Sequence, residues 1–194
     1  MSINSVIISE SIQSQALLET VLKPSDYEVV YTASSLPALL AETDLQQPEL
    51  IIISIDTPSA NLIKQLQVIN KQYPLPVVVF AKNDSEDAIE QFIQAGVSAY
   101  VVDGLNPHRV LAILKTALVR FEQQSHVQQE LHSLKTNLAD RKIIDRAKGI
   151  IMTQRQCSED EAYTLLRTNA MTQNIRLAAL AKNIVDTVNL WKNA

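Results

Sequence analysis

Leu50-Ile51-Ile52-Ile53 is the stretch that decides the fold. Four apolar residues run together, three of them β-branched, with no polar residue alternating between them. A strand of that kind is buried on both faces, which is the mark of a parallel sheet covered by helices on both sides. Working outward, Val6-Ile7-Ile8 gives an earlier strand followed by a helical pattern to Leu22, and Glu28-Val29-Val30-Tyr31 gives a second strand. Beyond the central stretch, Pro76-Val77-Val78-Val79-Phe80 and Ala99-Tyr100-Val101-Val102 supply a fourth and a fifth. Helical stretches such as Ala60–Lys71 and Ser85–Ala95 lie between them. Five successive βα units predict an α/β domain with a doubly wound parallel sheet.

Composition sets the frame around this domain. The chain has 194 residues, 46% of them apolar, and a formal charge of −4. That length suits one domain of about 120 residues and a small appendage. The single cysteine, Cys157, gives no disulfide framework and reads as a small residue near a helix start. The N-terminus lacks a basic start and a long apolar run, and nothing approaches membrane-spanning length, so the expected location is cytoplasmic. Three glycines form no phosphate-cradling loop, and His108, His126 and His132 have no zinc-like partners. No nucleophile–base pair is evident, so the chain is expected to be no enzyme and to need no cofactor or metal.

The strand count and spacing resemble the response-regulator receiver domain, a five-stranded flavodoxin-like fold with strand order 2-1-3-4-5. That resemblance implies an acidic pair for Mg²⁺, a phosphoryl-accepting Asp, a Ser or Thr, and a Lys, all at the carboxyl ends of strands. Each role has a charge reason, since Mg²⁺ needs hard oxygens and an aspartyl phosphate needs cations around it. This chain departs at every position. Glu10 follows Ser9 where a carboxylate pair is expected, Ser54 occupies the acceptor position, Ala81 stands for Ser or Thr, and Asp103-Gly104 stands for Lys-Pro. The expectation is a pseudo-receiver over residues 1–120, folded but without phosphoryl chemistry. Asp56 would take the acceptor role only if the strand register moved by two residues or the loop turned inward. Otherwise it is an ordinary loop acid that caps the next turn.

At the other end, Ala147-Lys148-Gly149-Ile150-Ile151-Met152, Ser158-Glu159-Asp160-Glu161-Ala162-Tyr163, Leu165-Leu166-Arg167 and Ala170-Met171 form a spaced set. The set resembles the ANTAR domain, the RNA-binding module of AmiR- and NasT-type transcription antiterminators, from about Ile144 to Val185. Val97–Gly104 is similar to the NasT branch in particular. Read physically, Ser158 and Glu161 make a capping box. Ala162, Leu165, Leu166 and Asn169 or Ala170 then recur at helical spacing. Leu177, Leu180, Ala181, Ile184, Val188 and Trp191 continue the period in a last helix, and Ile143, Ile144, Ala147, Ile150 and Ile151 stripe the preceding one. A three-helix bundle over residues 141–194 follows. Gly149 inside the first helix is expected to mark close helix packing, with close approach of RNA as the other reading.

Charge separates the two ends. Residues 141–194 hold nine basic and five acidic side chains, a balance of +4, against 8 basic and 16 acidic over residues 1–140, a balance of −8. A phosphate-binding tail on an acidic carrier has this asymmetry. Lys148 and Arg167 lie on the motif and, with Arg141 and Arg176, are the first RNA-contact candidates; Lys142, Arg155 and Lys182 follow. The competing reading pairs Lys148 and Arg167 with acids such as Asp145 or Glu161. Tyr163 either stacks a base or belongs to the core.

Between the modules no Pro/Gly/Ser-rich linker occurs. Asn106-Pro107 opens a helix, and Val110, Ile113, Leu114, Ala117, Leu118 and Phe121 form its receiver-side stripe. Within 121–140, Val127, Leu131, Leu134 and Leu138 resume apolar spacing one position out of phase, like a coiled-coil stutter. A stripe that its own domain does not cover calls for a partner helix, so a homodimer coil is expected rather than a frayed linker.

The resemblance implies an antiterminator that binds leader RNA hairpins to prevent terminator formation. It also implies control by a sequestering sensor protein, nitrate/nitrite-responsive in the NasT branch, and no membrane. The alternatives are a DNA-binding response regulator and a pure protein-interaction module. The first needs a recognition helix rich in Arg, Asn or Gln, whereas the last helix is mostly Ala, Leu, Ile and Val.

Overall fold

The computed structural model describes residues 2–40, 48–83 and 86–192. The chain divides into two compact units, Met1–Ser125 and His126–Ala194. In the first, β1 (Ile3–Ser9), α1 (Ile12–Leu22), β2 (Tyr27–Ala33), α2 (Leu36–Leu40), β3 (Leu50–Ile55), α3 (Ala60–Gln72), β4 (Val77–Ala81), α4 (Glu86–Gln94) and β5 (Ala99–Val101) alternate along the chain. The sheet is parallel throughout, in the order β2-β1-β3-β4-β5. Ser85, where the sequence places the start of α4, lies outside the described residues.

Period-two geometry explains why the strands read as unbroken apolar runs. Every residue of β3 is buried. Ile51, Ile53 and Ile55 point into one core with α2, α3 and α4, while Leu50 and Ile52 point into the other with α1 and the helix after β5. In β4, Val77, Val79 and Ala81 likewise oppose Val78 and Phe80. Phe92 of α4 lies against Tyr100 with ring centroids 5.1 Å apart. Gly96 ends α4 at φ 92°, where a Cβ would overlap the Asn70 amide, so only glycine closes that turn.

Helix α5 (Pro107–Arg155) is a single 49-residue element. The Asn106 side chain accepts from the His108 amide at 3.1 Å, and Pro107 occupies the first turn. Val110, Leu114 and Ala117 are buried against the sheet. Further along, Val127, Leu131, Leu134 and Leu138 are 62, 50, 66 and 56% exposed, so nothing described covers that stripe.

In the second unit, the end of α5 joins α6 (Glu159–Thr172) and α7 (Leu177–Lys192) around Ala147, Leu166, Ala170, Leu180, Ala181 and Val185. Ile143, Ile144, Ile150, Ile151, Leu177 and Ile184 border this core. Alanines at three of its six positions let the helices approach closely. The Trp191 side chain lies outside the described residues.

Candidate functional site: the strand-end pocket of the receiver and a basic helical module

The carboxyl ends of β1, β3 and β4 bring the expected receiver positions together, but not their chemistry. Ser54 ends up 7% exposed and Ala81 fully buried, while Glu10 is exposed. Asp56 does not cap α3: Ser59 does, its hydroxyl accepting from the Leu62 amide at 3.2 Å. Asp56 instead forms an ion pair with Lys82 at 2.7 Å. The same two loops are joined by Lys82 N to Ile55 O, Asn83 N to Asp56 O and the Asn83 amide to the Thr57 hydroxyl. Asp56, the acid two residues past the acceptor position, is therefore already matched to a cation on the neighbouring loop.

After β5 the backbone itself departs from the receiver pattern. Asp103 and Gly104 adopt φ 68° and 73°. Asp tolerates the left-handed region, but the ring of a Pro at position 104 would fix φ near −65°. A Lys-Pro pair thus has no place on this loop path. A cavity of about 180 Å³ beneath these loops is lined by Glu10 and the hydroxyls of Ser34, Ser35, Ser54, Thr57 and Ser59. Hydroxyls and one carboxylate are a poor donor set for Mg²⁺. Among the described residues no three His, Cys, Asp or Glu side chains converge as a metal site. The residues present do not fit the ion that receiver chemistry uses.

In the helical module, Ser158 begins α6 as a full capping box: its hydroxyl accepts from Glu161 N at 3.3 Å, and the Glu161 carboxylate accepts from Ser158 N at 2.9 Å. Lys148 reaches from α5 to two carboxylates, Asp145 at 2.7 Å and Glu159 at 2.6 Å, with only 15% of its side chain exposed. The ion-paired alternative thus describes its geometry, with Glu159 rather than Glu161 as the second acid. Arg146 similarly donates to the Asn189 side chain on α7 at 3.0 Å. These two cations fasten α5 to its neighbours.

The remaining basic residues are disposed differently. Arg141, Lys142, Arg155, Arg167, Arg176 and Lys182 are all exposed. Arg141 lies near enough to Asp145 to help depress its pKa. The other five make no side-chain hydrogen bond or ion pair among the described residues. Tyr163 is 41% exposed and lies outside the core, as does Leu165 at 39%. Gly149 corrects an expectation: a Cβ there would meet nothing within 4 Å, so helix packing does not require it. Val185, buried at 1%, was missed in the last helix because the neighbouring Ile184 fits the apolar period equally well.

These contacts set a pH dependence. The hydrogen bond from Lys148 holds the Asp145 carboxyl below its ordinary range. The Ser158 backbone amide, then its hydroxyl, does the same for Glu161. Hydrogen bonds to Asp145 and Glu159 raise Lys148. A depressed carboxyl stabilises above its unfolded pKa and loses that contribution as pH falls through its folded value; a raised lysine stabilises below its unfolded pKa and loses it at alkaline pH. The module is therefore most stable between the ordinary carboxylate and lysine ranges. Melting followed by circular dichroism is expected to weaken below about pH 5, and Glu161→Gln to flatten that acid slope; an unchanged slope contradicts the capping assignment.

Comparison with known proteins agrees with this geometry. The response regulator receiver domain family matches residues 6–115, and the ANTAR domain family matches residues 132–185. The transcriptional regulatory protein PdtaR of Mycobacterium tuberculosis is 24% identical over 176 residues, spanning 91% of this chain and 86% of that protein. The nitrate regulatory protein of Klebsiella oxytoca is 35% identical over 86 residues, 42% of this chain and 22% of that protein. A crystallised response regulator from Thermotoga maritima shares the sheet fold, with a TM-score of 0.55 at 13% identity over 61% of this chain and 99% of that one. The chain belongs to the response regulators, with a receiver domain followed by a C-terminal segment that matches the ANTAR domain.

Proposed function

We propose that this protein binds paired hairpins in a nascent leader RNA so that a terminator cannot form, and that a partner sensor protein governs it in place of phosphorylation. The observation that carries the RNA part is the set of exposed cations in the helical module: Lys142, Arg155, Arg167, Arg176 and Lys182 have no partner among the described residues. Hairpin loops display unstacked bases and phosphates that such side chains can hold. Arg167 leads this set, because Lys148 is engaged by two carboxylates and acts first as a fastener of α6.

The control part rests on the receiver. Ser54, Ala81 and Asp103 stand where the receiver pattern has the groups that accept and hold a phosphoryl, so in this reading another event sets the protein's availability. Sequestration by a sensor supplies one, and the similarity to a nitrate regulatory protein favours a nitrate- or nitrite-responsive partner. The exposed stripe Val127–Leu138 supports a homodimer whose coil, within residues 121–140, joins the receiver of residues 1–120 to the RNA module of residues 141–194.

Gel shifts with a two-hairpin leader RNA, a scrambled RNA and duplex DNA test the binding reading. The leader is expected to bind best, with affinity falling steeply as salt rises because phosphate contacts release counterions. Arg167→Ala is expected to weaken leader binding by about 1–3 kcal/mol, while Arg120→Ala on the receiver side of α5 leaves it unchanged. Equal binding of leader and scrambled RNA removes the hairpin reading, and preference for duplex DNA replaces it with a DNA-binding regulator.

A further inference from the structure

The geometry points to a ligand site in the receiver: the cavity at the carboxyl ends of β1 and β3 takes a small polar α-amino acid as its zwitterion. This site stands apart from the RNA-binding reading, because every residue that lines it belongs to the first unit. The sheet order β2-β1-β3-β4-β5 changes direction between β1 and β3. In open α/β sheets the crevice outside the strand ends at such a switch point is where ligands bind. Ile8 and Glu10 come to it from the end of β1, Ile53 and Ser54 from β3, and Ser59 and Asn61 from the start of α3.

Ser54 is the residue that singles this cavity out. Among the described residues three polar side chains are buried, those of Ser5, Ser9 and Ser54. The Ser5 hydroxyl donates to the Ile3 carbonyl at 3.1 Å, and the Ser9 hydroxyl to the Ser11 carbonyl at 2.9 Å. Ser54 is 7% exposed and lines the cavity, yet its hydroxyl has no partner among the described residues. Native interiors rarely leave a buried hydroxyl unmatched, so its partner belongs in the cavity. Glu10, Asn61 and Gln65 on the same lining also make no side-chain hydrogen bond or ion pair among the described residues.

Charge and size narrow the occupant. The lining holds one carboxylate, Glu10, and no lysine or arginine. An unmatched carboxylate favours a cationic group. The start of α3 favours the opposite charge. The Ser59 hydroxyl accepts from the Leu62 amide, which leaves the amides of Ala60 and Asn61 without a partner among the described residues. A helix N-terminus of this kind carries about half a positive charge, which suits a carboxylate. A zwitterion meets both, with its ammonium at Glu10 and its carboxylate at α3. The hydroxyls of Ser34, Ser35 and Ser54 and the Gln65 amide remain for a polar side chain. The cavity measures about 180 Å³. A benzene ring fits a cavity of about 150 Å³, so the space suits L-serine or L-threonine and is too small for a nucleotide.

Isothermal titration of the full-length protein with L-serine, L-threonine, ethanolamine and 3-hydroxypropanoate tests the site. The last two are L-serine without its carboxylate and without its ammonium. At least one of the two amino acids is expected to bind with a Kd of about 1 mM or tighter, and about tenfold or more above either half molecule. Glu10→Gln, at an exposed position, and Ser54→Val, which removes the hydroxyl and fills space, are each expected to weaken binding about tenfold or more. Thermal melting without ligand confirms that each variant is folded; if Ser54→Val is not, Glu10→Gln decides alone. No heat of binding at about 10 mM, ten times the expected Kd, means that the cavity holds water only and overturns the inference. Ethanolamine binding as tightly as the amino acids reduces the site to a cation site, and affinity unchanged in Glu10→Gln places the ligand elsewhere; either result also overturns it.

Discussion

Leu131→Asp combined with Leu134→Asp is expected to convert the protein from dimer to monomer and to weaken two-hairpin RNA binding about 100-fold or more. The four residues of the stripe recur at i, i+4, i+7 and i+11 and are each at least half exposed in the single chain. Burying a leucine side chain contributes about 1.5–3 kcal/mol, so four from each protomer form a substantial seam. Two aspartates in that seam would bring unpaired like charges together in a dry interface. The loss in RNA binding follows from geometry. Two modules joined by a coil engage two hairpins with a high effective concentration, and two separate modules do not. Light scattering reads the first effect and gel shifts the second. A wild type that is monomeric at tens of micromolar, a range of moderate affinity, contradicts the coil.

The next largest effect is expected for Leu166→Ala. Leu166 is 1% exposed and packs among Ala147, Ala170, Leu180, Ala181 and Val185. With alanines at three of those five positions, few side chains beside Leu180 and Val185 are large enough to fill the space a truncated leucine leaves. Such a truncation costs about 2–5 kcal/mol, whereas a core this small supplies only about 3–5 kcal/mol in all. The helical module is therefore expected to unfold and to lose RNA binding while the receiver melts as before. Leu165→Ala, one residue earlier but partly exposed, is expected to leave the module folded. If Leu166→Ala melts within a few degrees of wild type, the three-helix core is wrongly drawn.

The receiver was legible because a doubly covered parallel sheet writes itself as unbroken apolar runs, and β3 and β4 carry such runs. The capping box of α6 was legible for a similar reason: a local motif needs only residues three apart. What escaped the sequence was pairing across distance. Lys148 lies on the family motif, and sequence alone leaves both RNA contact and an ion pair open; only the fold brings Glu159, from the next helix, to it as a second acid. Asp56 read as a turn acid because its partner Lys82 comes from a different loop. Gly149 read as a packing glycine, yet its surroundings are open. The periodicity of a long helix does not say which face is covered, so the exposed cations were not separable by sequence from the fasteners Arg146 and Lys148.

Those distinctions bear on the proposal that the receiver works without phosphoryl chemistry. Restoring Asp at position 54 alone would not rebuild a receiver site, because Ala81, Asp103 and the left-handed path through Gly104 would remain.

Single-round transcription through a leader carrying the two hairpins and a terminator tests the account most directly. The purified protein is expected to raise read-through with no phosphodonor present, and acetyl phosphate with Mg²⁺ should neither change that read-through nor add mass to the protein. Read-through that appears only after acetyl phosphate treatment, with a one-phosphate mass shift that Asp56→Asn abolishes, would contradict it.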